Sequence, residues 1–162
     1  MGKTYVFSDI HGMWNLYEQI KNHLNIGDHK AIFLGDACDR GEDGYMIMKD
    51  ILQNDNILYI KGNHEDLFLQ MLYNRKATFT DMTNGTYQTL IEFISHYFNE
   101  NFEDMFYYYP SDVYKKLRDE GIIDFIYDME DYYETNNYIF THGFIPINNE
   151  DMTYKENWRE AS

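Results

Sequence analysis

Thr4-Tyr5-Val6-Phe7 runs straight into Ser8-Asp9-Ile10-His11-Gly12, and the same arrangement returns twice. Ala31-Ile32-Phe33-Leu34 enters Gly35-Asp36-Ala37-Cys38-Asp39-Arg40-Gly41, and Ile57-Leu58-Tyr59-Ile60 enters Lys61-Gly62-Asn63-His64-Glu65. Each is a short apolar run of the kind that forms a buried strand, ending in a polar loop. Between them, Met13 to Leu24 spaces Leu16, Ile20 and Leu24 four apart, which predicts an amphipathic helix. Asn25 to Lys30, with Gly27 and Asp28, reads as a turn. Gly44 to Leu52 carries Tyr45, Ile47, Met48, Ile51 and Leu52 at helical spacings. The interval is 27 residues from Asp9 to Asp36 and 27 again from Asp36 to Asn63. This is a βαβαβ succession, and right-handed crossovers would bring all three loops to one sheet edge.

Beyond the third repeat the pattern loosens. Leu67, Leu69, Met71 and Leu72 continue a helix out of the third loop, Asn74 to Asn84 reads as a polar connection, and Tyr87 to Phe98 sets Leu90, Ile91, Ile94 and Phe98 on one side of another helix. Pro110 is placed to begin a helix through Leu117, with Gly121 to end it. Residues 66–130 are thus expected to form a helical insertion within one domain spanning 1–162. Tyr132-Tyr133-Glu134 and Tyr138-Ile139-Phe140-Thr141 flank Thr135-Asn136-Asn137 as a hairpin whose second strand delivers His142-Gly143.

A chain of 162 residues suffices for one domain with a core and is too short for two. The 28 acidic residues against 13 lysines and arginines give a formal charge of −15, a field that disfavours long nucleic acids as partners. No run approaches a membrane span, and the N-terminus enters a strand without a basic leader, so the expected compartment is the cytoplasm. Cys38 is the only cysteine, which excludes an intrachain disulfide or a cysteine zinc knot. A thiol at the site rim and a small core residue are equal readings of it.

The loop residues carry the chemistry. Asp9 and His11 alternate with Ile10, so in an extended strand end both side chains leave on one side and can grasp one ion. Asp36, from the next unit, is the natural bridge, because one carboxylate can share its oxygens between two cations. Asn63 would offer an amide oxygen and His142 a nitrogen to the second ion. Oxygen and nitrogen donors without thiolate suit manganese, iron or zinc better than calcium. Two such ions could activate a water and hold a phosphoryl oxygen.

In combination these segments resemble the calcineurin-like metallophosphoesterases, and in particular their serine/threonine phosphoprotein phosphatase branch. The likeness spans about 4–65 and 138–146. Gly35-Asp36-x-x-Asp39-Arg40-Gly41 with Gly62-Asn63-His64-Glu65 is specific to that branch, although diadenosine tetraphosphate hydrolases share much of it. The resemblance implies an α/β fold, an αββα sandwich, here incomplete, with a βαβαβ core and a helical cap. It implies that Asp9, His11 and Asp36 hold a first metal, and Asp36, Asn63 and His142 a second. His64 would protonate the leaving alcohol, Asp39 would orient His64, and Arg40 would grip two phosphate oxygens with its planar fork. The implied substrate is a phosphoprotein or a small phosphoester. A dinucleoside polyphosphate is the alternative, and a metal-binding interaction module of low activity is a third reading.

The chain departs from the family pattern at several points. Lys61 stands where arginine is usual, and Cys38 stands where a larger residue is common, which would make the rim more oxidisable. A further histidine is expected beyond His142 and none follows, while His23, His29 and His96 read as ordinary surface or boundary residues. The ending at Tyr154 to Ser162, with Trp158 and Arg159, therefore implies a shortened domain whose uncovered sheet surface could pair in a homodimer.

Overall fold

The computed structural model describes residues 3–98 and 105–143. Its elements are β1 (Thr4–Phe7), α1 (Trp14–Leu24), β2 (Lys30–Leu34), α2 (Gly44–Leu52), β3 (Ile57–Ile60), α3 (Asn63–Asn74), α4 (Phe79–Asn84), α5 (Thr86–Tyr97), α6 (Met105–Tyr108), α7 (Pro110–Asp119), α8 (Ile122–Tyr127), β4 (Tyr132–Glu134) and β5 (Ile139–Thr141). The first three strands form a parallel sheet in the order β1-β2-β3, and β4 pairs antiparallel with β5. Parallel pairing needs a crossover between successive strands, and α1 and α2 provide the two crossovers. The three strand ends therefore meet along one edge, as the repeat predicts.

Register builds the core. Phe7 pairs with Phe33 and Phe33 with Tyr59, so one face of the sheet carries an aromatic row with ring centroids 4.7 and 4.8 Å apart. Tyr17 of α1 stacks on Phe33 and is fully buried, while its hydroxyl and Lys21 Nζ both bond Asp50, tying α1 to α2. Side chains alternate across a strand, so Val6, Ile32 and Leu58 lie on the other face. There they line a groove with Tyr133, Tyr138 and Phe140 of the hairpin region. A mixed α/β arrangement of parallel sheet, helices and an opposed hairpin is consistent with the sandwich expected from the sequence.

Local chemistry moves several expected boundaries. Asn63 and His64 do not sit in a loop but in the first turn of α3, with Gly62 as its N-cap. The cause is Glu65, whose side chain accepts the Gly62 N–H at 2.9 Å and starts the helix directly at the strand end. The stretch Asn74 to Asn84 is not only a connection. It contains α4, opened by a reciprocal Thr78–Asp81 capping box. Pro110 begins α7 and Gly121 follows its end in the left-handed region (φ 78°), where it also turns the chain into α8. Pro146 and the stretch from Tyr154 to Ser162 lie outside the described residues. Among the described residues no helix is long and apolar enough to cross a membrane.

Candidate metal centre

Pairing between β1 and β2 continues beyond the strands proper. The N–H groups of Asp9, His11 and Gly12 donate to the carbonyls of Gly35, Asp36 and Ala37 at 3.1, 3.0 and 2.7 Å. This stitching forces tight turns: Asp9 (φ 55°), His11 (46°), Asp36 (61°), Asp39 (68°) and Arg40 (66°) all adopt left-handed backbone. Such residues each cost on the order of 1–3 kcal/mol and persist only where their surroundings hold them. They are five of the eight residues to which the sequence assigns chemistry, and Asp9 and His11 thus lie in turns and not in the extended strand end expected. Gly12 and Gly41 lie back to back, and a Cβ on either would overlap the backbone of the other.

Two rings are each committed through Nδ1 to a backbone carbonyl, and that of His11 is buried with its other nitrogen orphaned. The His11 Nδ1–H donates to the Cys38 carbonyl at 3.0 Å, leaving Nε2 with a lone pair. That Nε2 is buried without a hydrogen-bond partner and faces Asp36 Oδ2 at 3.6 Å and Asp9 Oδ1 at 3.8 Å. His142 repeats the pattern. Its Nδ1–H donates to the Leu34 carbonyl at 2.6 Å, and Nε2 lies 3.0 Å from Asn63 Oδ1 and 3.4 Å from Asp36 Oδ1. In both groups acceptors converge on acceptors, with Asp9 and Asn63 open to solvent, and a cation placed among them would relieve the repulsion. Asp36, 3% exposed, turns one oxygen toward each group. Among the described residues, the His, Asp and Glu side chains whose ligand atoms lie within 4.8 Å of one another, and so could hold an ion, are His11, Asp36 and His64; Asp9 stands beside them, and Asn63 and His142 flank the other Asp36 oxygen.

Beside this double site stands a proton-handling pair. His64 donates Nδ1–H to Asp39 Oδ2 at 2.7 Å, while its Nε2 lies 3.9 Å from Asp36 Oδ2 and 3.3 Å from the Arg40 guanidinium. Burial works against charge on His64, but the hydrogen bond to Asp39 and the charges of Asp36 and Asp39 outweigh it, with Arg40 opposing. The ring is held above the ordinary histidine range. Arg40 itself is exposed, so its fork is open to an incoming anion.

Four side chains without an assigned role in the sequence reading support these. Glu65, fully buried, accepts from the N–H groups of Asp36, Gly62 and Ala37, each at 2.9 Å. The Tyr59 hydroxyl accepts from Ala37 N–H at 3.1 Å. Thr86 and Thr89 of α5 donate to the two oxygens of Asp39 at 2.6 and 2.7 Å. Glu65 could have been found as the residue three beyond a glycine N-cap. The threonines carried no sequence signal.

Of the two equal readings of Cys38, the packed one holds. Cys38 is not at the rim: it is fully buried against Gly44, and burial together with Glu65 pushes its thiol well above the usual range, so it is a packed, unreactive residue. Lys61 is 6% exposed, and its Nζ donates to the Tyr127 carbonyl at 3.0 Å, where a cation suits the C-terminal end of α8. Of the remaining histidines, His96 stacks on Tyr45 at 3.8 Å, and His29 lies against Tyr5.

Residues 2–161 match the family described as calcineurin-like phosphoesterase. Comparison with curated proteins gave no match. Among solved structures, the crystal structure of "a putative diadenosine tetraphosphatase" superposes with a TM-score of 0.56 at 16% identity, covering 95% of this chain and 56% of that one. The chain thus spans about half the length of that protein, and at such identity the likeness speaks for the fold alone. With a family match over nearly its whole length, the chain belongs to the calcineurin-like phosphoesterases.

Proposed function

We propose that this chain hydrolyses phosphomonoesters, with phosphoserine and phosphothreonine of proteins as its first substrates. The observation that carries the reading is Asp36, whose two oxygens face His11 on one side and His142 on the other, beside the His64–Asp39 pair. Metal ions held there, manganese first and iron or zinc next, would supply positive charge for the phosphoryl oxygens and lower the pKa of water. The rest falls to side chains. Arg40 binds two phosphate oxygens and stabilises charge as it develops on them. His64, whose charged form the Asp39 carboxylate favours, gives its Nε2 proton to the departing ester oxygen, so that an alcohol rather than an alkoxide leaves.

A second reading, hydrolysis of dinucleoside polyphosphates, draws support from the structural likeness to the tetraphosphatase. It uses the same groups with a phosphate as the departing moiety. The test is phosphate release by the full chain with added manganese, from a phosphoserine peptide and from diadenosine tetraphosphate, with His64→Asn alongside. Peptide turnover that falls about 100-fold or more in His64→Asn supports the proposal. Turnover of the dinucleotide alone supports the second reading, and metal binding without release from either substrate overturns both.

A further inference from the structure

α5 belongs to the helical insertion, yet it reaches the centre of the site. Gly85, immediately before it, has φ 92°, and a Cβ there would meet the Arg40 nitrogen at 2.5 Å and the Asp39 carbonyl carbon at 3.4 Å. Only a glycine lets the helix press this closely onto the turn that carries Asp39 and Arg40. Thr86 and Thr89, three apart and so on one face of α5, are both fully buried. Thr86 Oγ1 donates to Asp39 Oδ2 at 2.6 Å, the oxygen that also accepts from His64. Thr89 Oγ1 donates to Asp39 Oδ1 at 2.7 Å and accepts the Asp39 backbone N–H at 3.0 Å, closing a ring around that residue.

We infer that Thr86 and Thr89 are positioning residues for the Asp39–His64 pair, so that the inserted helix takes part in setting the proton donor. This rests on the proposed role of His64. The geometry gives the reason. Asp39 is a short carboxylate on a left-handed residue, and its side chain could swing toward other donors. With both oxygens occupied from α5, one lone pair of Oδ2 is left aimed at His64 Nδ1. The same seating fixes the backbone of Arg40, the next residue. A hydroxyl is the economical donor here, since it satisfies a buried carboxylate without adding a charge that would compete with His64.

The experiment uses Thr86→Val and Thr89→Val, which keep shape and remove the donors, with Thr86→Ser and Thr89→Ser as conservative replacements. Turnover is compared on an alkyl ester, phosphoserine peptide, and on p-nitrophenyl phosphate, whose leaving group needs little protonation. The valine variants should lose about 10-fold more turnover on the alkyl ester than on the aryl ester, and the serine variants should recover it. Metal-free protein gives a second readout: wild type should show by NMR a hydrogen-bonded imidazole proton that His64→Asn lacks, and this signal should broaden or vanish in the valine variants and return with serine. If Thr89→Val does not fold, Thr86→Val alone carries both comparisons, because Thr89 then still holds Asp39. Folded valine variants with the wild-type ester ratio and imidazole signal overturn the inference. Alkyl-ester turnover that is indifferent to His64→Asn instead overturns the functional reading beneath it.

Discussion

Glu65→Gln should cost about 3 kcal/mol of folding stability, a loss larger than its near-identical shape would suggest. Glu65 is fully buried, with Oε2 accepting from the Asp36 and Gly62 N–H groups and Oε1 from that of Ala37. Glutamine has one oxygen. Its better orientation keeps that oxygen on Asp36 and Gly62 and turns the NH₂ group against the Ala37 N–H, donor facing donor. Losing a hydrogen bond to a charged group costs roughly 1.5–3 kcal/mol, and the two retained bonds weaken by about half as they become neutral. Relief from burying a charge returns part of this. For a chain of this size the net loss lowers Tm by about 6–12 °C. Thermal melts and urea titration followed by circular dichroism measure it. A Glu65→Gln protein melting within about 2 °C of wild type, with an unchanged urea slope, would refute the claim that this carboxylate holds the Asp36 turn against the start of α3.

Glu92→Gln should act in the opposite direction, and only at higher pH. Burial pushes the Glu92 carboxyl up to about 7 although the Tyr45 and Gly44 N–H groups favour its charge, and its Oε1 has no hydrogen-bond partner. With the folded value above the unfolded one, its stabilising contribution is complete below about pH 4.5 and is lost as pH rises through 7. Discounted for solvent screening, glutamine should add about 1–2 kcal/mol at pH 8 and little at pH 4.5; an equal Tm change at both pH values would contradict this. Gly62→Ala should abolish metal-induced stabilisation, because a Cβ there would overlap Asp36 Oδ1 and sit 2.7 Å from Glu65 Oε2. A manganese-dependent rise in Tm equal to that of wild type would show that the turn yields more easily than its packing indicates.

The strand-to-loop repeats were legible because they rest on local signals. A buried parallel strand is a continuous apolar run, and polar ligands can stand only where it ends. β3 and α2 accordingly begin and end where the sequence places them, and the hairpin delivers His142 to the site. What stayed hidden is tertiary. Nothing in Thr86 or Thr89 announces that they would meet an aspartate 47 or 50 residues earlier. Asn63 and His64 follow an apolar run and so read as a polar loop, while the buried Glu65 carboxylate instead drives helix initiation at once. Cys38 admits two equal readings in the sequence because its neighbours are site residues, and the structure decides for the core, with its side chain packed against Gly44 of α2.

Crystals of the full chain soaked in manganese and measured at the manganese absorption edge test the central claim most directly. The account predicts two anomalous peaks roughly 3.5–4 Å apart, one among Asp9, His11 and Asp36 and the other among Asp36, Asn63 and His142, both lost in Asp36→Asn. Manganese found elsewhere on the acidic surface, with no peak between these side chains, would contradict it.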